Sequence, residues 1–201
     1  MNIVDVVVQL STKPREFFKG MKKEKSIKHA FLLNLVFVLF YFVIISLFLL
    51  LFISLFRALA PAGEKNFPTY ILFILMAVWF VLCILFNFVW AGILHVWILI
   101  FGGKGDYKQT YQLNVYSSIP YYLLGWFPLI GLLACIYSVY LLIIGTQEAH
   151  GIPKMKSILM YVIPICVFMF LIIILYIFLV AIIFSQMPQY MNATNVTNVT
   201  G

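Results

Sequence analysis

Charged residues are scarce in this sequence: Asp, Glu, Lys and Arg together make up 9% of its 201 residues. Apolar residues make up 65%, whereas a soluble domain is about half apolar and about a quarter charged. This composition excludes an ordinary soluble globular domain. A chain of this length also leaves no room for a soluble domain of useful size beside a membrane domain.

Residues that carry enzyme chemistry are also few. No pair of His, Cys or acidic residues has metal-ligand spacing, and Glu148 and His150, two residues apart, face different ways on a helix. The segment 102–106 lacks the full phosphate-loop spacing, and no nucleophile-elbow or zinc-protease motif occurs. No acidic residue lies deep in an apolar run, as ion-coupled transport generally requires. We therefore expect no enzymatic activity, no metal and no cofactor.

Cysteine is rare as well, and Cys83, Cys135 and Cys166 all lie inside apolar runs. A structural disulfide is not expected there, and free cysteine behaves as a small hydrophobe. None of the three lies at a membrane border, so we do not expect palmitoylation.

Long apolar runs dominate the rest of the chain. About 20 apolar residues suffice to cross a bilayer as a helix. The first run is too long for the core of a signal peptide, and Pro61 would directly follow the cleavage-like sequence there. The sequence therefore predicts an all-α transmembrane bundle with a membrane domain over 30–184 and five spans: 30–56, 70–101, 109–126, 128–145 and 157–184.

The third segment, 109–126, is the least apolar of the five. Its 18 residues would form a helix of about 27 Å, barely long enough to cross. Segments three and four could therefore cross twice or form a re-entrant hairpin, and both leave the ends of the chain on the same sides. A single merged span is disfavoured because it would spread the basic residues over both sides.

Orientation follows from the basic residues. Seven of the thirteen Lys and Arg lie between Lys13 and Lys28. With the N-terminus inside, eleven lie inside and two outside, namely Arg57 and Lys65, and cytoplasmic loops are the ones enriched in Lys and Arg. The tail 185–201 is then outside, and it carries three successive glycosylation sequons, which begin at Asn192, Asn195 and Asn198. The alternative for this tail is a polar segment without sugar.

The N-terminal segment, 1–29, has the pattern of an interfacial amphipathic helix. Phe17, Phe18 and Met21 project to one side of it, and lysines project to the other. We expect it to lie on the cytoplasmic surface with its aromatic side toward lipid and its basic side toward anionic headgroups, not toward nucleic acid. The alternative is a solvated leader that only sets topology. The basic residues concerned are Lys13, Arg15, Lys19, Lys22 and Lys23.

Polar residues also fall near the predicted midplane of the second, third and fourth spans. Polar side chains in hydrocarbon usually face the bundle interior, so these spans should form the inner contacts. The first and fifth spans should then be more exposed to lipid, although the first could shield one side of the bundle. The cluster could join helices or form a small-solute site. Its candidate members are Asn87, Ser117, Ser118, Tyr137 and Ser138.

The order of several short motifs resembles the Yip family, whose name refers to Ypt/Rab-interacting proteins, and particularly its prokaryotic branch. These motifs are a Lys-Pro-Arg-Glu-Phe-Phe leader, the run 101–107 after His95, the turn 128–131, the run 145–152, and an element made of Tyr116, Ser117 and Pro120. The resemblance covers about Lys13 to Phe184. It implies a five-span bundle with a cytoplasmic N-terminus.

Eukaryotic Yip relatives act in vesicle trafficking and engage prenylated Rab GTPases. This sequence lacks their long cytosolic domain and their Asp-Leu-Tyr-Gly-Pro motif, so the resemblance does not carry that role over. We expect a non-enzymatic, multi-pass membrane protein that organises lipids, a membrane protein partner or a second copy of itself. The alternative is a small-solute transporter, or a subunit of one, that uses the midplane cluster.

Overall fold

The computed structural model describes residues 2–22, 24, 26–59 and 69–199, with the backbone alone at 57, 69 and 186–199. These residues form seven helices and no strand, in agreement with the predicted all-α class. In chain order the helices are α1 (Ile3–Thr12), α2 (Pro14–Met21), α3 (Lys28–Leu59), α4 (Thr69–Ile100), α5 (Tyr107–Leu124), α6 (Pro128–His150) and α7 (Lys154–Val199). They fall into two compact units, Met1–Ile158 and Leu159–Gly201.

Four of the described helices are long and apolar enough to cross a membrane: Lys28–Phe56, Tyr70–Ile100, Pro128–His150 and Lys154–Ser185. α3 and α4 have 32 residues each, or about 48 Å. They exceed the hydrocarbon thickness of about 30 Å, so they must tilt or protrude. α5 is not among them because its 18 residues are too polar, so the predicted count of five spans is not confirmed by helix length and composition.

α5 occupies the middle of the first unit. It contacts α2, α3, α4 and α6, and every residue from Thr110 to Ser117 is buried. Gly125 ends it, and Pro128 opens α6 after a three-residue turn, so the two helices form an antiparallel hairpin. A Cβ added at Gly131 would lie 2.8 Å from the Gly125 carbonyl oxygen, which shows how closely the turn is packed. α3 also covers α5, so the inner contacts are not confined to the three predicted spans.

The N-terminal segment forms two helices, because Pro14 begins α2 directly after α1 ends. Phe17, Phe18 and Met21 are buried, and α2 packs on α5 and α6. The aromatic side that we expected to face lipid is therefore covered by protein. Gly145 of α6 allows this close packing. A Cβ at Gly145 would meet the side chains of Leu113 and Phe18, so a residue without a Cβ lets α2 and α5 lie close to α6.

The basic side of α2 is free of this packing. Lys13, Arg15, Lys19 and Lys22 are all exposed, while Lys23 lies outside the described residues. The segment is thus a packed part of the first unit with an exposed basic surface.

α7, which begins at Lys154, covers the predicted fifth span and continues beyond it. It is 46 residues long and includes Pro164 within a continuous helix. Its backbone remains helical through Asn192, Asn195 and Asn198. The side chains of these three sequon residues lie outside the description.

Candidate functional site

The polar side chains of α5 are buried along most of its length. Thr110, Gln112, Asn114 and Ser117 are each at most 4% exposed. Thr110, Asn114 and Ser117, at spacings of four and three residues, share one side of the helix, and Gln112 lies on the opposite side. A polar group buried without a hydrogen bond costs free energy, so these residues require partners on several neighbouring elements. The structure supplies three groups of partners for Thr110, Gln112 and Asn114, whereas the Ser117 hydroxyl has none among the described residues.

The first group, the histidine cluster, consists of Thr110 with His95 and His150. The Thr110 hydroxyl oxygen lies 2.8 Å from His95 Nδ1 and 3.1 Å from His150 Nε2. The Gly105 N–H donates to His150 Nδ1 at 3.1 Å. In the neutral imidazole, His150 Nε2 therefore carries the proton and donates to Thr110, whose own hydroxyl can donate either to His95 Nδ1 or to the Asp106 carbonyl oxygen, 3.5 Å away.

The loop before α5 is shaped by the histidine cluster. A Cβ at Gly105 would collide with the His150 ring, and the Lys104 N–H donates to the His150 carbonyl oxygen at 3.1 Å. A cavity of about 210 Å³ lies alongside, and its lining includes Lys22, Lys104 and Asp106. The N-terminal segment and the α4–α5 loop therefore meet at one end of the first unit.

The second group, the Glu24 cluster, joins the segment after α2 to α3 and α5. Glu24 Oε2 accepts hydrogen bonds from the Tyr116 hydroxyl at 3.1 Å and from Gln112 Nε2 at 3.3 Å. His29 Nδ1 lies 3.1 Å from the Tyr116 hydroxyl oxygen and 3.6 Å from Glu24 Oε1. Gln112 Nε2 also donates to the Ser26 carbonyl oxygen at 3.1 Å. One carboxylate therefore organises three chain segments.

The third group, the asparagine cluster, lies between α4 and α5. Asn114 Nδ2 donates to Asn87 Oδ1 at 3.2 Å, and Asn87 Nδ2 donates to the Tyr122 hydroxyl oxygen at 3.4 Å. Both asparagines line a cavity of about 390 Å³ together with Ser118. Bonds of this kind join helices inside a membrane.

The five predicted midplane residues do not form one group. Asn87 and Ser118 share the cavity of the asparagine cluster. The Tyr137 hydroxyl instead donates to the Leu10 carbonyl oxygen at 2.9 Å, at the end of α1. The hydroxyls of Ser117 and Ser138 are buried and have no hydrogen-bond partner within the described part of the chain.

The family-like motif lies wholly in α5. Tyr116 belongs to the Glu24 cluster, Ser117 is one residue on, and Pro120 lies inside the helix. Its most connected member is therefore the tyrosine.

Sequence reasoning missed Glu24, Thr110 and Gln112, and it treated His95 and His150 as isolated. The contacts of Glu24 with Gln112 and Tyr116 span 88 and 92 residues, so no local spacing reveals them. One signal was available: α5 has polar residues on all sides, and such a helix in a membrane protein must be enclosed by other helices.

The chemistry of these clusters is hydrogen bonding and charge placement. Among the described residues, no three His, Cys, Asp or Glu side chains converge as ligands for a metal ion. Each cluster joins α5 to a different set of neighbours, which fixes the position of α5 within the first unit.

Comparison with known proteins agrees with this architecture. The family model described as the Yip1 domain matches residues 8–177, a range that includes all three clusters. No curated protein and no solved structure matches the chain. The match covers most of the sequence, and four helices can cross a bilayer. The chain therefore belongs to the Yip1-domain family and is a multi-pass integral membrane protein.

Proposed function

We propose that this protein is a non-enzymatic membrane organiser that gathers anionic lipid or a membrane protein partner at its cytoplasmic end. One observation carries the proposal: the exposed basic side of α2 and the α4–α5 loop lie at the same end of the first unit, where Lys22 and Lys104 line one cavity. Basic groups at a membrane surface attract anionic lipid by roughly 1 kcal/mol each.

The proposed topology has a cytoplasmic N-terminus, five crossings and an outer C-terminus. The distribution of eleven inside and two outside Lys and Arg supports it. Trp126, at the α5–α6 turn, contacts Phe48 of α3. Phe48 lies 20 residues after the start of α3, or about 30 Å along the helix. That distance equals the hydrocarbon thickness, and tryptophan is common at membrane interfaces.

The engagement of the polar residues supports a non-enzymatic role. Asn87, Asn114, Thr110 and Gln112 all bond to side chains of other helices or segments. Such bonds hold helices together and use the hydrogen-bonding groups of these side chains within the protein.

Lipid binding by the full chain in nanodiscs tests the role of the basic surface. The double variant Lys19→Gln/Lys22→Gln should enrich anionic over zwitterionic lipid about thirtyfold less than the wild type, since two lysines at roughly 1 kcal/mol each contribute about 2 kcal/mol. Lys19→Arg/Lys22→Arg keeps the charge and serves as the matched control. Undiminished enrichment by the glutamine variant would remove this surface from the proposed function.

Glycosylation in microsomes tests the topology separately. The outer tail should receive sugar at one or more of Asn192, Asn195 and Asn198, which shows as an endoglycosidase-sensitive increase in mass. The variant with all three replaced by Gln is the control. Protease digestion of the tail from the cytoplasmic side of sealed microsomes would contradict the assignment.

A further inference from the structure

A cavity of about 340 Å³ opens beside the Glu24 cluster, and we name it the Glu24 pocket. α1, α2, the start of α3 and α5 all contribute to it. Its lining consists of Gln9, Glu16, Phe17, Gly20, Met21, Glu24, His29 and Tyr116. Its volume lies in the range of about 300–1,000 Å³ typical of small-molecule sites.

The carboxylate of Glu24 is held in a fixed position by two neutral donors and lies beside His29, so it keeps its negative charge while His29 is neutral. Its Oε2 atom accepts from a phenol and an amide, which are both neutral donors. Oε1 lies 3.6 Å from His29 Nδ1, and the Glu24 side chain is 31% exposed. A carboxylate fixed in this way and still open to solvent can attract a cation.

Aromatic side chains form the inner wall. The rings of Phe17 and Tyr116 are nearly perpendicular, at 86°, with centroids 5.0 Å apart, and both residues are buried. Aromatic faces attract ammonium and quaternary ammonium groups more than they attract hydrated metal ions, and carboxylates strengthen the attraction. No metal-ligand triad exists among the described residues to favour a bare ion.

We propose that the Glu24 pocket binds an organic ammonium group of headgroup size, such as ethanolamine or choline, with Glu24 as its counter-ion and the Phe17 and Tyr116 rings as its wall. This inference rests on the proposed function, because the proposed function places α2, and with it the pocket, at the level of the lipid headgroups. A zwitterionic phospholipid and a free amine both carry this ammonium group, and the two arms of the test separate these sources.

Two variants probe the pocket in different ways. Glu24→Gln removes the charge of the proposed counter-ion, keeps the size of the side chain and leaves Glu16 of the lining unchanged. Gly20→Leu fills the space, because a Cβ at Gly20 would meet nothing within 4 Å, and leucine favours helix over glycine, so folding is retained. Asp5→Asn is the control, since it removes a carboxylate from the same segment outside the pocket.

In the first arm, the full chain in detergent is titrated with glycerophosphoethanolamine, glycerophosphocholine and glycerophosphate, and binding is followed by ligand-observed NMR. The two amines should bind the wild type and Asp5→Asn, and glycerophosphate should not. Glu24→Gln and Gly20→Leu should each weaken amine binding at least tenfold. In the second arm, native mass spectrometry counts phosphatidylethanolamine and phosphatidylglycerol retained from nanodiscs.

Retention of phosphatidylethanolamine that both variants abolish identifies the lipid as the source, and amine binding in the first arm alone identifies a free amine. The proposal is overturned if the wild type binds amines no better than glycerophosphate, or if Glu24→Gln and Gly20→Leu both bind them as the wild type does. The anionic-lipid enrichment that depends on Lys19 and Lys22 is measured independently. Failure of the proposed function and failure of ammonium binding in the Glu24 pocket can therefore be told apart.

Discussion

α4 and α5 are adjacent helices with opposite designs. α4 is apolar apart from a few residues such as Asn87 and His95, yet large side chains such as Leu85, Phe86 and Val89 are more than half exposed. α5 is polar, yet its residues from Thr110 to Ser117 are buried. In water this arrangement would be unstable, because apolar surface would be exposed and polar groups buried. In a bilayer it is the expected one, since lipid covers the apolar helix and protein encloses the polar one.

The comparison also shows how a short polar helix is held. α5 is bonded to α4 by the asparagine cluster, to α6 and the α4–α5 loop by the histidine cluster, and to the N-terminal segment by the Glu24 cluster. Substitutions on the lipid-facing surface of α4 and in the packing around α5 should therefore have distinct and measurable effects.

The largest effect is expected from a charge placed on the lipid-facing surface of α4. Leu85 lies near the centre of α4 and is 57% exposed, so Leu85→Asp would place a charge in hydrocarbon at a cost of about 3 kcal/mol. The fraction of α4 inserted in a microsomal insertion assay should fall accordingly, and Leu85→Ala should behave nearly as the wild type. Normal insertion of the aspartate variant would mean that α4 faces protein or water at this position.

The next effect concerns the close packing around α5. Gly145→Val should destabilise the first unit by about 2 kcal/mol, because its side chain would meet Leu113 and Phe18. Gly92→Val in α4 is the control, since a Cβ there has its nearest contact at an ordinary 3.8 Å. Unfolding in SDS and mixed micelles would measure both, and equal stability of the two variants would contradict the described packing of α2 on α6.

The smallest effect belongs to the bond between the two helices. Asn114→Leu should cost about 1 kcal/mol, since interhelical hydrogen bonds in membranes average about 0.6 and reach about 1.7 kcal/mol. Asn87→Leu removes the other partner, so a double-mutant cycle isolates the coupling. Additive effects of the two substitutions would show that the pair makes no net contribution to stability.

Much of this fold was predictable from the distribution of apolar residues. The long runs within α3, α4, α6 and α7 determined the elements to within a few residues, although α6 extends to His150 instead of ending at 145, and α7 extends to Val199. A membrane span can be identified from its apolar run without knowing which helices lie beside it, because lipid is apolar on every side.

The clusters were less predictable, because they depend on contacts between distant segments. Asn87 was identified by its depth, but its partner Asn114 was only one of several polar residues in its segment. Glu24 lies in a basic stretch where a single acid is unremarkable, and its role follows only from Gln112 and Tyr116. The aromatic side of α2 was recognised, but the sequence pattern alone does not distinguish lipid from protein as the surface it meets.

The central claim is that α5 is enclosed by protein while α4 faces lipid. Photolabelling of the wild-type chain in nanodiscs with a diazirine-bearing phospholipid, followed by peptide mass spectrometry, tests it without any substitution. We predict carbene adducts on exposed α4 residues such as Val81, Leu85 and Val89, and none between Thr110 and Ser117. Adducts within that stretch of α5, at yields similar to those on α4, would contradict the account.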